Sequence, residues 1–218
     1  MKSALFAAAL LSAVPAGASS VQGGSAAFAV AYGAAAYAIV TDRSATAERV
    51  TVRRLGLDGG ALWEQRYGTG RTETPVGAAV TSWGGLSIAG DNTAGCFAAH
   101  WMSNGTRKWD NDLQYGSDCH VRAVIVDANG NTFVLATTTV GTVYGPGVWK
   151  IDKLGRVLWS YNPSAPDSSY AFALTLDAAG DGVTVTTAAN GPSGWTYANF
   201  DVDSNGRPRD AGVNGGPY

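Results

Sequence analysis

The chain repeats itself four times. The segments LGLDGGALWEQRYG (55–68), WMSNGTRKWDNDL (101–113), IDKLGRVLWSYN (151–162) and VDSNGRPRD (202–210) align on Gly59, Gly105, Gly155 and Gly206, which stand 46, 50 and 51 residues apart. A repeat of this period implies stacked structural units, each of which buries its apolar faces only against its neighbours. Four residues after the first three glycines come Trp63, Trp109 and Trp159, while the fourth repeat carries Asp210 at that offset.

The columns of this alignment indicate the local structure. Four residues before each glycine stand Leu55, Trp101, Ile151 and Val202, and one position earlier stand Arg54, His100, Lys150 and Asp201. Adjacent columns of opposite character predict half-buried strands, with the polar column, His100 included, facing solvent. The glycines sit in sequences suited to tight hairpin turns that need a positive φ. A second repeated piece precedes each hairpin: SAAFAVAYGAAAYAIVTD (25–42), GAAVTSWGGLSIAGD (77–91), VRAVIVDANGNTFVLATTT (121–139) and AFALTLDAAGDGVTVTTA (171–188). Each reads as strand, turn, strand. Four strands in about 40–50 residues make a propeller blade. The expected fold is therefore all-β, a β-propeller of four-stranded antiparallel blades, four in number, forming a single domain over 19–218 with units at about 25–70, 71–116, 117–164 and 165–218. A closed ring is the favoured arrangement. A fragment of a larger propeller, or a half-ring completed by a second chain as a homodimer, are the alternatives.

The phrase IDKLGRVLWSYN resembles the repeat of quinoprotein-like (PQQ-like) β-propellers, and together with VDANGNTFVLATTT it is similar to the blade repeats of bacterial secreted β-propeller-repeat proteins. The resemblance implies that Trp63, Trp109 and Trp159 are structural residues packed between neighbouring blades. It speaks for architecture and not for activity, because such repeats serve enzymes, assembly factors and surface proteins alike. Leu154 departs from the quinoprotein motif, which usually has Thr there, as does the missing fourth Trp.

The first twenty residues, MKSALFAAALLSAVPAGASS, have one cation at Lys2, an apolar run from Ala4 to Val14, then Pro15 and small residues at Ala16 and Ala18. This is the layout of a cleavable secretory signal over 1–18, and it predicts a secreted or periplasmic protein. The run is too short for a span, which needs about 20 apolar residues. The net charge of −2, without blocks of like charge, gives no footing for nucleic acid or an anionic membrane surface. Cys96 and Cys119 are the only cysteines. In an exported chain they predict one disulfide, with two separately buried thiols as the alternative.

The candidate ligand site is Asp118, His120 and Arg122, alternate residues of the strand that opens the third unit and therefore on one face of it. The equivalent positions are Ser168, Tyr170 and Phe172 in the fourth unit and Thr72, Thr74 and Val76 in the second, so the repeat does not demand these three. Arg122 offers a donor fork to an acidic or polar ligand, and Asp118 can fix the His120 tautomer. The alternative is a salt bridge that satisfies itself. Asp201, Asp203, Asn205 and Gly206 spell half a calcium loop, but Gly212 stands where the closing carboxylate belongs, so a plain hairpin is expected and no metal. Trp83, Tyr144 and Trp195 either stack on sugars or pack between blades. No phosphate loop, nucleophile elbow, zinc spacing or serine triad occurs, and no catalytic residue or cofactor is assigned. The function expected on these grounds is a secreted, non-enzymatic binding or scaffold module whose partner is a protein, a small polar ligand or a glycan. A quinoprotein-like enzyme, or a fragment of one, and a small sugar-binding propeller are the alternatives.

Overall fold

The computed structural model describes residues 27–209 except 34, 45–46, 69–70, 114–115, 163–168, 178 and 192–193; the leader, Ser168, Asp210 and Gly212 lie outside the described residues. Blade 1 is the sheet β1 (Ala27–Tyr32), β2 (Ala35–Ser44), β3 (Ala47–Leu55) and β4 (Ala61–Tyr67). Blade 2 is β5 (Glu73–Val80), β6 (Leu86–Asn92), β7 (Gly95–Trp101) and β8 (Arg107–Leu113). In blade 3, β10 (Thr132–Val140), β11 (Val143–Ile151) and β12 (Val157–Tyr161) are hydrogen-bonded in that order, and β9 (Asp118–Val126) lies along β10. Blade 4 is β13 (Tyr170–Leu176), β14 (Val183–Gly191), β15 (Gly194–Val202) and β16 (Pro208–Arg209). The architecture is the all-β, four-bladed propeller that the repeat predicts.

Each sheet is apolar on both faces and cannot bury them alone, so the cores lie between blades. Tyr37, Ile39 and Val52 of blade 1 pack with Leu86, Ile88 and Trp101 of blade 2. Ala98 and Trp109 of blade 2 pack with Val121, Val134 and Ile151 of blade 3. On the opposite face of β10, Phe133 and Leu135 pack with Leu174, Val183 and Val185 of blade 4. The period of two in β10, with Val134 to one side and Phe133 and Leu135 to the other, thus serves two seams at once. Among the described residues the three buried apolar clusters join blade 1 to blade 2, blade 2 to blade 3 and blade 3 to blade 4, and none joins blade 4 to blade 1. The repeat itself supplies no Trp for that fourth seam, and Leu57 in the Gly59 turn is 91% exposed.

The Trp column closes each seam by the same device. Trp63 lies over the Gly105 turn, Trp109 over the Gly155 turn and Trp159 over the Gly206 turn, each in the next blade. A Cβ at Gly155 or Gly206 would stand 2.6 or 2.7 Å from the facing Trp, and both glycines hold a positive φ, 89° and 80°. Glycine alone meets both demands, the left-handed turn and the close approach of the indole. The indole N–H groups of Trp63 and Trp159 then donate to the Ser103 and Ser204 carbonyls at 2.9 and 2.8 Å.

The polar column corrects the sequence reading. A β-bulge recurs after Arg54, His100 and Lys150, and it leaves these residues directly across from Trp63, Trp109 and Trp159. They therefore share the Trp face and turn toward the next blade, not toward solvent. His100 is 3% exposed and Lys150 is 5% exposed. Arg54 donates to the Ser103 carbonyl, and Lys150 donates to the Asp181 carbonyl at 2.8 Å. His100 stacks on Trp109 with ring centroids 5.6 Å apart and hydrogen-bonds Ser87, which reaches Thr132 of blade 3 at 2.7 Å. Alternation of polar and apolar residues marks a solvent face only where a sheet has one. In the interior of a propeller the polar residues are handles on the next blade.

Trp159→Ala is expected to lower the unfolding free energy by about 3 kcal/mol through the cavity left at the seam. His100→Ala should cost about 1–3 kcal/mol by stranding Ser87 and unstacking Trp109, and not be neutral as a solvated position would be. Urea titration of the two variants checks both values.

Candidate functional site

β9 is the strand from which the site is built, because it lies against β5, β6 and β7 of blade 2 and against β13 of blade 4. Its Cys119 and Val121 are buried toward blade 2, while Asp118, His120 and Arg122 occupy the exposed side. Cys119 is bonded to Cys96 of β7 as a disulfide with a Cα–Cα distance of 5.5 Å, so the pairing expected from the sequence is formed. Disulfides of this kind form in oxidising compartments. No helix among the described residues is long and apolar enough to cross a membrane.

Asp91, which pairs with Cys96 across β6 and β7, is the residue that sequence reasoning missed. One of its carboxylate oxygens accepts the Val121 amide at 2.7 Å, and the other accepts from His120 Nδ1 at 3.0 Å. His120 Nε2 stands 3.2 Å from Asp118 Oδ2. Asp118 and His120 are thus brought together, but the imidazole is gripped from both sides and ties blade 3 to blade 2. The hydrogen bond to Asp91 raises its pKa, burial works against this, the Asp118 and Asp91 charges raise it further, and Arg122 opposes them. Only the imidazolium donates from both ring nitrogens and so satisfies both carboxylates.

Arg122 is not part of this cluster. Its Nε donates to Thr137 Oγ1 at 3.3 Å, and the same oxygen accepts the Ala171 amide of blade 4 at 3.1 Å. The guanidinium is thereby carried to the face of blade 4 that no other blade covers among the described residues. There it lines an open cavity of about 400 Å3 with Tyr170, Phe172, Trp195 and Tyr197 as the aromatic walls. The strand register explains the hollow: Tyr170, Ala188 and Tyr197 lie side by side across β13, β14 and β15, so a small residue sits between two rings. A bulge between Ala171 and Ala173 leaves Phe172 unpaired and 62% exposed. Phe172 meets Tyr197 edge-on at 5.5 Å, and Tyr170 lies between Tyr144 at 5.6 Å and Trp195 at 6.1 Å. The sequence signal for this cleft is the pair of alternations Tyr170/Phe172 and Trp195/Tyr197, one on each flanking strand.

Of the three aromatics singled out in the sequence, Tyr144 lies in β11, Trp195 in β15 and Trp83 in a turn. Trp83 lies over Gly130 between blades 2 and 3, Tyr144 joins the ring stack at the seam of blades 3 and 4, and Trp195 stands 49% exposed as a cleft wall. The Asp203 carboxylate accepts the amides of Asn205 and Arg207 at 2.9 and 2.8 Å, and Asp201 accepts from Thr184. That segment is a hairpin in which one oxygen of each carboxylate is engaged. Among the described residues no group of three His, Cys, Asp or Glu comes together to hold a metal ion, so the acidic calcium ligands of a quinoprotein site are not assembled by them.

No protein-family profile matches the sequence, and no curated protein matches it. Among the solved structures similar to the chain is a glycoside hydrolase, at 15% identity and a TM-score of 0.43, covering 87% of this chain and 47% of that one. Another is a mannose phosphorylase from Leishmania mexicana, solved with a phosphate ion, at 13% identity and a TM-score of 0.37, covering 87% of this chain and 64% of that one. The chain thus spans less than two thirds of the length of either. Both neighbours are named as enzymes of sugar chemistry, which runs against the non-enzymatic scaffold expected from the sequence, and that reading is withdrawn.

The two histidines are expected to titrate on opposite sides of the unperturbed value of ~6.5. Burial, and secondarily Lys108, brings His100 down to about 4, while His120 is raised. The stability that neutral His100 contributes is present above ~6.5 and is lost as pH falls toward about 4. The contribution of His120 has the reverse sign, full below ~6.5 and lost as pH rises through its raised value. Imidazole proton resonances followed by NMR across this range, assigned with His100→Gln and His120→Gln, check the order.

Proposed function

We propose that this chain is a propeller domain of carbohydrate processing that holds a saccharide in the cleft of blade 4. The observation that carries the reading is the cleft itself: about 400 Å3, walled by Tyr170, Phe172, Trp195 and Tyr197, with one charged side chain, Arg122, at its edge. Sites for small molecules are concave and largely apolar, with a few placed polar groups that fix orientation. Pyranose rings present a C–H face that suits flat aromatic walls and hydroxyl edges that suit a planar donor. Exposed rings in such a number on one sheet face, free of any covering blade among the described residues, mark a binding surface in preference to scattered surface aromatics. The leader over 1–18 fits an export signal and the Cys96–Cys119 bridge fits an oxidising compartment, so the saccharide is met outside the cytoplasm.

The test is calorimetric titration of the protein with neutral and acidic oligosaccharides chosen from a glycan array. Trp195→Ala should weaken binding by about 30-fold, the loss of one aromatic anchor of ~2 kcal/mol. It should leave the unfolding midpoint unchanged, because Trp195 is half exposed. Equal affinity of wild type and variant for every saccharide bound, or no saccharide bound at all, would sink the reading.

A further inference from the structure

We infer that the cleft selects an acidic saccharide, with Arg122 pairing the carboxylate of a uronic acid unit; this rests on the reading of the cleft as a saccharide site. The guanidinium is held but not satisfied. Its Nε is fixed by Thr137, whose hydroxyl also ties down the Ala171 amide, so the fork is anchored across the seam of blades 3 and 4. Among the described residues no carboxylate forms an ion pair with it, and the two cation–π contacts belong to Arg107 over Tyr67 and Lys150 over Phe133, so no ring neutralises it.

The neighbouring carboxylates are engaged elsewhere. Asp91 and Asp118 grip His120, and Asp91 also accepts the Val121 amide. The described residues that line the cleft include no acidic side chain, so among them Arg122 sets the sign of the charge. A fixed guanidinium with no ion-pair partner among the described residues, beside aromatic walls, favours a ligand with a planar anion adjoining a ring, because Arg and carboxylate meet through two parallel hydrogen bonds. A neutral sugar offers single hydroxyls to the same fork and leaves its charge uncompensated. A uronate offers both the ring face and the carboxylate in one unit. A second copy of the chain laid on this face would instead bring no such anion by necessity, and it is separated from a saccharide by the particle mass.

The experiment compares oligogalacturonate and oligomannuronate with their methyl esters, which keep the rings and remove the charge, and with neutral manno- and cello-oligosaccharides. These are titrated into wild type, Arg122→Gln, Arg122→Lys and Trp195→Ala, with particle mass measured by sedimentation and folding checked by thermal unfolding. Wild type should bind at least one acidic oligomer about 10-fold or more tightly than its ester. Arg122→Gln should bring the acid down to the level of the ester, Arg122→Lys should recover part of the difference, and Trp195→Ala should weaken acid and ester alike. Acid and ester bound equally, neutral oligosaccharides bound in preference, or a preference that survives Arg122→Gln, each overturns the acidic selection and leaves the cleft as a saccharide site. No saccharide bound, binding indifferent to Trp195, or a two-chain particle that binds none overturns both.

Discussion

The structure depends on one contact made three times, an indole laid flat over a glycine turn of the following blade. A four-stranded sheet with two apolar faces has no stable existence in water by itself, and it gains one only by being clamped to a neighbour. Trp63 on Gly105, Trp109 on Gly155 and Trp159 on Gly206 supply the clamp. Because the turn glycine has a positive φ and no side chain, the ring approaches backbone directly and shields it. The bulge beside each clamp then aims Arg54, His100 or Lys150 at the same seam, and Arg54 and Lys150 add a hydrogen bond to a carbonyl of the next blade. Burial of such polar groups is tolerable because each finds a partner, Arg54 and Lys150 directly on the next blade and His100 through Ser87, which reaches Thr132 there.

The seam between blades 2 and 3 carries additional ties. The Cys96–Cys119 bridge and the clamp of His120 between Asp91 and Asp118 lie beside each other where β9 meets blade 2. Closing a loop of 23 residues restrains the unfolded chain by about 3 kcal/mol in the entropy treatment. The third seam has no such covalent tie, yet it is the one that assembles the cleft, since Arg122 comes from blade 3 and the four rings from blade 4. The cleft is therefore a property of two blades held in register and not of either alone.

Much of the fold was legible because a repeat writes the same instruction several times. The glycine column, the Trp offset and the strand–turn–strand pieces reinforce one another, and Cys96 with Cys119 left a single intramolecular pairing to form. The polar column was misread for a physical reason: alternation looks the same whether a strand faces water or another sheet, and only the cross-strand position of His100 opposite Trp109 separates the two. Arg122 was visible as a residue the repeat does not require. Its surroundings were not, because Thr137 and the four rings come from other strands, and Asp91, which holds the neighbouring His120, stands 29 residues away in another unit. The want of a buried cluster between blades 4 and 1 among the described residues agrees with Asp210 standing in the Trp column. The scaffold reading failed where architecture was made to speak for activity, which a fold shared by many functions does not license.

The central claim is that the Trp-on-glycine seams hold the blades together and thereby build the cleft. It is tested most directly by amide hydrogen exchange on Gly206→Val, in which the new side chain occupies the seat of Trp159. The account predicts loss of protection in β13, β14 and β15, with β5 to β8 protected as in the wild type, because their seam with blade 3 keeps Trp109, Gly155 and the disulfide. Unchanged protection in blade 4 would contradict it.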